Sequence, residues 1–146
     1  MTADDFRLDG LSVLVLEDEY ILAEDAARVL LQAGAEVIGP FGSPDEALAA
    51  AWRSKPDCAL VDINLGDGLD FGPARAFRAQ GVPVVLFSGY DEAVIPADFR
   101  EAQFLQKPIH MPMIASMVAK VCRGTPRDGL VQARWRVGSA ADVNSL

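Results

Sequence analysis

The chain has 146 residues, 51% of them hydrophobic, with a positive mean hydropathy, which suits one domain with a real core. Lys and Arg number 13 against 21 Asp and Glu, a formal charge of −8, and so acidic a surface argues against a direct nucleic-acid partner. No apolar run approaches the ~20 residues of a membrane span, and residues 1–10 carry three Asp and one Arg where a signal peptide has a basic start and an apolar middle. A cytoplasmic protein with no membrane partner is expected.

Residues 1–9 read as an extension. Residues 11–16 are apolar except for Ser12 and form a first strand, with Glu17-Asp18-Glu19 at its end. Leu22, Ala26, Val29, Leu30 and Ala33 recur at helical spacing, and Gly34 stops that helix. Residues 35–39 make a short second strand, closed by Pro40. Ser43-Pro44-Asp45-Glu46 carries the marks of a helix start: Ser43 to cap, Pro44 in the first turn, Glu46 to complete a capping box. That helix runs to about Ser54. The next run, residues 58–65, is apolar but for Asp62 and Asn64, and reads as a strand buried on both faces. Asp62 falls where this strand leaves the sheet. A Gly-rich loop follows, in which Asp67 and Asp70 read as loop and cap residues. A helix over about 71–80 tolerates Pro73 in its first turn and ends at Gly81. Residues 83–87 form the fourth strand, residues 103–106 a short fifth, and residues 112–122 the last helix. Between the fourth and fifth strands, residues 90–102 are acidic, weakly periodic and interrupted by Pro96, and should be the least regular connection. Residues 123–146 read as a mostly irregular tail, with at most one short element around 130–137. Cys58 and Cys122 share no motif spacing and read as core or surface thiols; one histidine, His110, excludes a His-rich metal site.

Strand and helix alternate five times, the pattern of a parallel α/β sheet covered by helices on both faces. Parallel strands point one way, so residues just after each strand gather at one edge, where ligands of such sheets bind. Those positions hold Glu17 and Asp18, then Asp62, then Ser88, then Lys107. Crowded carboxylates raise one another's pKa unless a cation joins them. A hard divalent cation with oxygen ligands, Mg²⁺, answers this. Asp18 and Asp62 would ligate it directly, Glu17 directly or through water, and the Asn64 backbone carbonyl would add an oxygen. A carboxylate beside such an ion can attack phosphorus and form an acyl phosphate, with Lys107 and Ser88 binding the phosphoryl oxygens. For the Lys107 ammonium to point back to Asp62 the chain must turn sharply, so a cis bond between Lys107 and Pro108 is expected.

The stretches Leu14-Val15-Leu16-Glu17-Asp18-Glu19, Val61-Asp62-Ile63-Asn64-Leu65, Phe87-Ser88-Gly89 and Gln106-Lys107-Pro108, in this order at strand ends, resemble the receiver domain of two-component response regulators. The resemblance covers roughly residues 10–122. It implies a doubly wound five-stranded parallel sheet in the flavodoxin-like order 2-1-3-4-5. It further implies that Asp62 is the phosphoacceptor, charged from a sensor histidine kinase or phosphotransfer protein, and that a downstream protein partner reads the change. Glu17 and Asp18 match the acidic metal pair, Ser88 the switch hydroxyl, Lys107 the lysine before proline, and Phe104 the aromatic rotamer switch. Phe87-Ser88-Gly89-Tyr90 partly matches the Phe-Ala-Thr-Gly-x-Tyr motif of stand-alone receivers, with the Phe spacing off by one. The short connection containing Pro96 departs from the family's fourth helix.

Two other functions fit parts of the pattern. An aspartyl-phosphate phosphatase or phosphotransferase would use Asp62-Ile63-Asn64, but such enzymes carry the nucleophile on the first strand and have a cap domain. A degenerate receiver would act as an interaction module without phosphorylation, against which the acid pair, Asp62 and Lys107 argue. Glu17-Asp18-Glu19 stands where a nucleotide-binding fold has a Gly-rich loop. Trp52 and Trp135 carry no readable role.

Overall fold

Five parallel strands, in the spatial order β2-β1-β3-β4-β5, form the centre of the computed structural model. The strands are β1 (Ser12–Leu16), β2 (Glu36–Phe41), β3 (Cys58–Asp62), β4 (Val84–Ser88) and β5 (Gln103–Gln106). Four helices connect or follow them: α1 (Tyr20–Gln32), α2 (Pro44–Ser54), α3 (Gly72–Ala79) and α4 (Pro112–Gly124). The structure describes residues 7–65 and 68–124. Gly66, Asp67, most of the N-terminal extension, the tail after 124 with its expected element at 130–137, and Trp135 lie outside the described residues.

Successive strand residues face opposite sides, so each buried strand feeds two cores. Val13, Val15, Cys58, Leu60, Val85 and Phe87 pack against α1 and α4 on one face. Leu14, Leu16, Ala59, Val61, Val84 and Leu86 pack with residues of α2 and α3 on the other. Every residue of β3 and β4 is buried, which is why their sequences run apolar without alternation. Both cysteines are buried. The helix stops follow local rules. At the end of α1, Gly34 adopts φ +102°, its N–H bonds the Leu31 carbonyl and the Ala35 N–H bonds the Leu30 carbonyl, the pairing of a Schellman cap.

Two details differ from the sequence reading and a third bears it out. Pro40 does not close β2 but lies within it, after a cis Gly39–Pro40 bond. β2 is an edge strand, where a missing N–H is tolerated, and the pairing register with β1 shifts between Leu14 and Leu16. Ser43 precedes α2 with extended angles, but its hydroxyl makes no capping hydrogen bond; Pro44 does occupy the first turn. The connection between β4 and β5 is the least regular, as expected: it holds only two 3₁₀ turns, Glu92–Val94 and Ala97–Phe99. Pro96, extended at φ −71° and ψ 165°, separates them. The Lys107–Pro108 bond is cis, as expected.

This irregular connection is nonetheless pinned to α3. Phe99 is fully buried. The Arg78 guanidinium lies 3.9 Å from its ring centre and donates to the Asp98 carbonyl at 2.6 Å. Arg75 donates twice to the Asp98 carboxylate, at 2.8 and 3.1 Å. The Phe71 ring stands 5.6 Å from that of Phe99.

Candidate functional site

The sheet delivers the expected residues to one edge. Asp62 and Ser88 end β3 and β4, while Glu17 and Lys107 directly follow β1 and β5. Register sets their heights: Leu16 lies beside Val61, Asp62 beside Phe87 and Ser88 beside Gln106. Among the described residues, Glu17, Asp62 and Ser88 are the buried polar ones.

Lys107 is the hub. Its Nζ donates to Asp62 Oδ2 at 3.0 Å and stands 3.2 Å from Glu17 Oε1 and 4.0 Å from Glu19 Oε1. The Phe87 ring centre is 5.6 Å away. The other oxygen of Asp62, Oδ1, accepts the Asn64 backbone N–H at 2.8 Å, which fixes the carboxylate's rotation. Glu17 Oε2 accepts the Glu19 N–H at 2.8 Å. Glu17 Oε1 is buried and receives no hydrogen bond; the ammonium is within ion-pair reach but not aimed at it. Burial, helped by the charge of Asp62, pushes the Glu17 carboxyl up to about 8, against the lowering effect of the Glu19 N–H. Burial acts to lower the Lys107 ammonium, but its hydrogen bond to Asp62 and the charges of Asp62 and Glu17 outweigh that and raise it.

Glu17, Asp18 and Asp62 each offer an oxygen, all within 4.8 Å of one another. An all-oxygen donor set suits a hard cation, and Glu17 Oε1 is one of two buried side-chain atoms among the described residues that receive no hydrogen bond. The residues therefore fit a divalent ion of the Mg²⁺ kind. Asp18 is exposed and Glu17 buried. The sheet ladder runs one residue past β1, with the Glu17 N–H donating to the Phe41 carbonyl at 2.9 Å, which keeps Glu17 inside.

Ser88 points its Oγ at the Tyr90 N–H, 3.0 Å away, and its carbonyl accepts the Lys107 N–H at 2.7 Å. Phe104 is half-buried against the core formed with α2 and α3, and with Ala93, Ile95, Arg100 and Ala102 it lines a cleft of about 230 Å³. Asn64 enters by its N–H. Asp70 accepts the Gly72 N–H at 2.8 Å, the local turn role expected of it. The sequence reading missed Glu19 as a neighbour of Lys107. It also missed the Arg75, Arg78 and Asp98 cluster, for which the three-residue spacing of the arginines on α3 was the available signal.

A doubly wound sheet with an acid pocket, a lysine and a buried hydroxyl at one edge defines a class, and the chain belongs to the response regulator receiver domain family, whose model matches residues 13–119. It is therefore a module of two-component signalling and not a classical enzyme. It is 28% identical over 128 residues to the transcriptional regulatory protein PdtaR of Mycobacterium tuberculosis, covering 82% of this chain and 62% of that protein. Among solved structures it resembles the response regulator PhyR of Brucella abortus, with TM-score 0.69, 25% identity and coverage of 82% of this chain and 50% of that one. It also resembles the receiver domain of a modulated diguanylate cyclase from Desulfovibrio desulfuricans G20, with TM-score 0.70, 26% identity and coverage of 80% and 96%. The chain thus spans less than two thirds of PdtaR and half of that PhyR chain.

Proposed function

We propose that this receiver domain, taken as residues 10–122, accepts a phosphoryl group on Asp62 from the phosphohistidine of a sensor histidine kinase or phosphotransfer protein. The observation that carries this is the bridge at the strand ends, where one ammonium, Lys107, lies 3.0 Å from Asp62 and 3.2 Å from the Glu17 oxygen that receives no hydrogen bond. An Asp62 carboxylate oxygen attacks phosphorus, the donor's phosphorus–nitrogen bond breaks, and the imidazole leaves with the electron pair. The Asn64 N–H keeps the carboxylate oriented. Lys107 exchanges its bond to Asp62 for a phosphoryl oxygen, and Ser88 turns its hydroxyl from the Tyr90 N–H to donate to another. Glu17, Asp18, Asp62 and the Asn64 carbonyl are the residues that would hold Mg²⁺, which when bound offsets the carboxylate charge and attracts phosphoryl oxygens.

The output follows from Ser88. Releasing the Tyr90 N–H frees the start of the β4–β5 connection, Phe104 fills the space that Ser88 leaves, and residues 91–102 change their order, presenting a new surface to a downstream protein. The acidic chain acts in the cytoplasm through protein partners and makes no direct nucleic-acid contact. Among the described residues no helix is long and apolar enough to cross a membrane.

Incubation with acetyl phosphate and Mg²⁺, read by intact mass spectrometry, tests the proposal. Wild type should gain one phosphoryl group, Asp62→Asn and Asp62→Ala none, and Asp18→Asn should label slowly. Labelling of Asp62→Ala at the wild-type rate would overturn the assignment. Steady turnover of small phosphate esters would mark a phosphatase instead.

A further inference from the structure

Glu19 opens α1, yet its side chain makes no hydrogen bond to the helix. It occupies the N-cap position at φ −85° and ψ 111° and makes no capping hydrogen bond. Its backbone carries the local structure: the N–H bonds Glu17 Oε2 at 2.8 Å, and the carbonyl accepts the Ala23 N–H at 2.9 Å. The carboxylate itself is 64% exposed and stands 4.0 Å from Lys107 Nζ. Glu19 and Lys107 share a cleft of about 450 Å³ with Asp25, Ile21, Leu22 and Pro108.

Two consequences follow from charge alone. Lys107 has three carboxylates within 4.0 Å, two buried and one, Glu19, in water. Glu19 is thus the outer competitor for the ammonium that a phosphoryl group needs. The Glu19 carboxylate, more exposed than the ammonium it faces, also repels an anion drawn towards Lys107. Building on the phosphoacceptor reading above, we infer that Glu19 is a specificity-determining residue for the charging step. It disfavours small anionic phosphodonors and favours a donor whose own surface brings a cation to neutralise it. The discrimination comes from repulsion placed beside an attractive site, and it works without contact between Glu19 and phosphorus.

The test compares two donors of different charge on the full chain at saturating Mg²⁺. With acetyl phosphate, a dianion, the phosphorus–oxygen bond to the acetyl group breaks and acetate leaves with the electron pair. Phosphoramidate carries its own ammonium and one net negative charge. Glu19→Gln should speed acetyl phosphate labelling about three- to tenfold at low ionic strength, and Glu19→Lys should speed it further. Both gains should be smaller with phosphoramidate and should shrink in about 0.5 M salt, where exposed charges are screened. Circular dichroism should be unchanged, since the side chain caps nothing. Wild type labelled on Asp62, with Glu19→Gln no faster, overturns this inference alone. A gain equal for both donors and at all salt concentrations overturns it too, since only a rearranged site gives that. A wild type that takes no label overturns the phosphoacceptor reading and this inference together.

Discussion

The acid pocket at the strand ends and the β4–β5 connection are held in opposite ways. At the ends of β1, β3 and β5, one ammonium faces Asp62, Glu17 and Glu19, with Asp18 close by. Charge is in excess there, and one buried carboxylate oxygen has no hydrogen bond. In the β4–β5 connection, by contrast, a fully buried ring is held under a guanidinium and beside a carboxylate–arginine pair on α3. The first region is electrostatically incomplete and answers to added ions, protons or phosphoryl groups. The second is complete in itself and answers to packing. The difference teaches where a chemical event can enter this fold and where its effect must be transmitted by movement.

The comparison breaks most visibly at Phe99. Phe99→Ala removes the ring that anchors the connection and should cost about 3–5 kcal/mol in urea unfolding, with Asp62 still open to labelling; a loss below about 1 kcal/mol would show that the ring is no anchor. Lys107→Ala attacks the other region. It leaves Asp62 and Glu17 buried without their cation and should cost on the order of 2–4 kcal/mol without Mg²⁺, part of it recovered when Mg²⁺ is added. A stability unchanged in metal-free buffer would contradict the ion-pair account.

Protons sharpen the contrast. The folded chain holds the Glu17 proton up to about pH 8 because of burial, against 4.5 for the ordinary carboxyl. That contribution to stability is full below pH 4.5 and is lost as pH rises towards 8. In Mg²⁺-free buffer, wild type should therefore lose stability relative to Glu17→Gln across this window. A relative gain would reverse the sign and refute it. At the latch the effects are smaller. Arg78→Ala should cost about 1 kcal/mol, since the guanidinium both covers the Phe99 ring and bonds the Asp98 carbonyl. Arg75→Ala should cost less, being an exposed pair. Its hydrogen bond to Asp98 holds that carboxyl below its ordinary 3.8, so the contribution is present above pH 3.8 and disappears as pH falls through the folded value. Amide exchange at Ala97–Phe99 measures both substitutions; equal exchange in the two variants and wild type at neutral pH would dismiss the latch.

Asp62, Glu17, Asp18, Ser88 and Lys107 were legible in the sequence because a parallel sheet turns the order of strand ends into nearness in space. A short apolar run that stops at a polar residue is enough to place it. Which acid is buried was not legible, since that depends on the Glu17 N–H extending the ladder to Phe41. The latch was hidden for a different reason. Arg75 and Asp98 lie 23 residues apart, and Pro96 predicted an irregular segment without saying what would hold it. Pro40 misled because its place in a strand is allowed only at an edge, and strand order is a property of the whole sheet.

Pro40 also bears on self-association. A sheet edge is a template for another chain, and a proline within it removes a donor from that template. The β2 edge has this break together with a shifted register between Leu14 and Leu16. The β5 edge, Gln103–Gln106, holds no proline and carries Phe104 and Leu105 on opposite faces. If strands add to the native sheet they should do so at β5 rather than β2, and Gln106→Lys should then slow concentration-dependent aggregation followed by light scattering, while an unchanged rate would dismiss the β5 edge as the template.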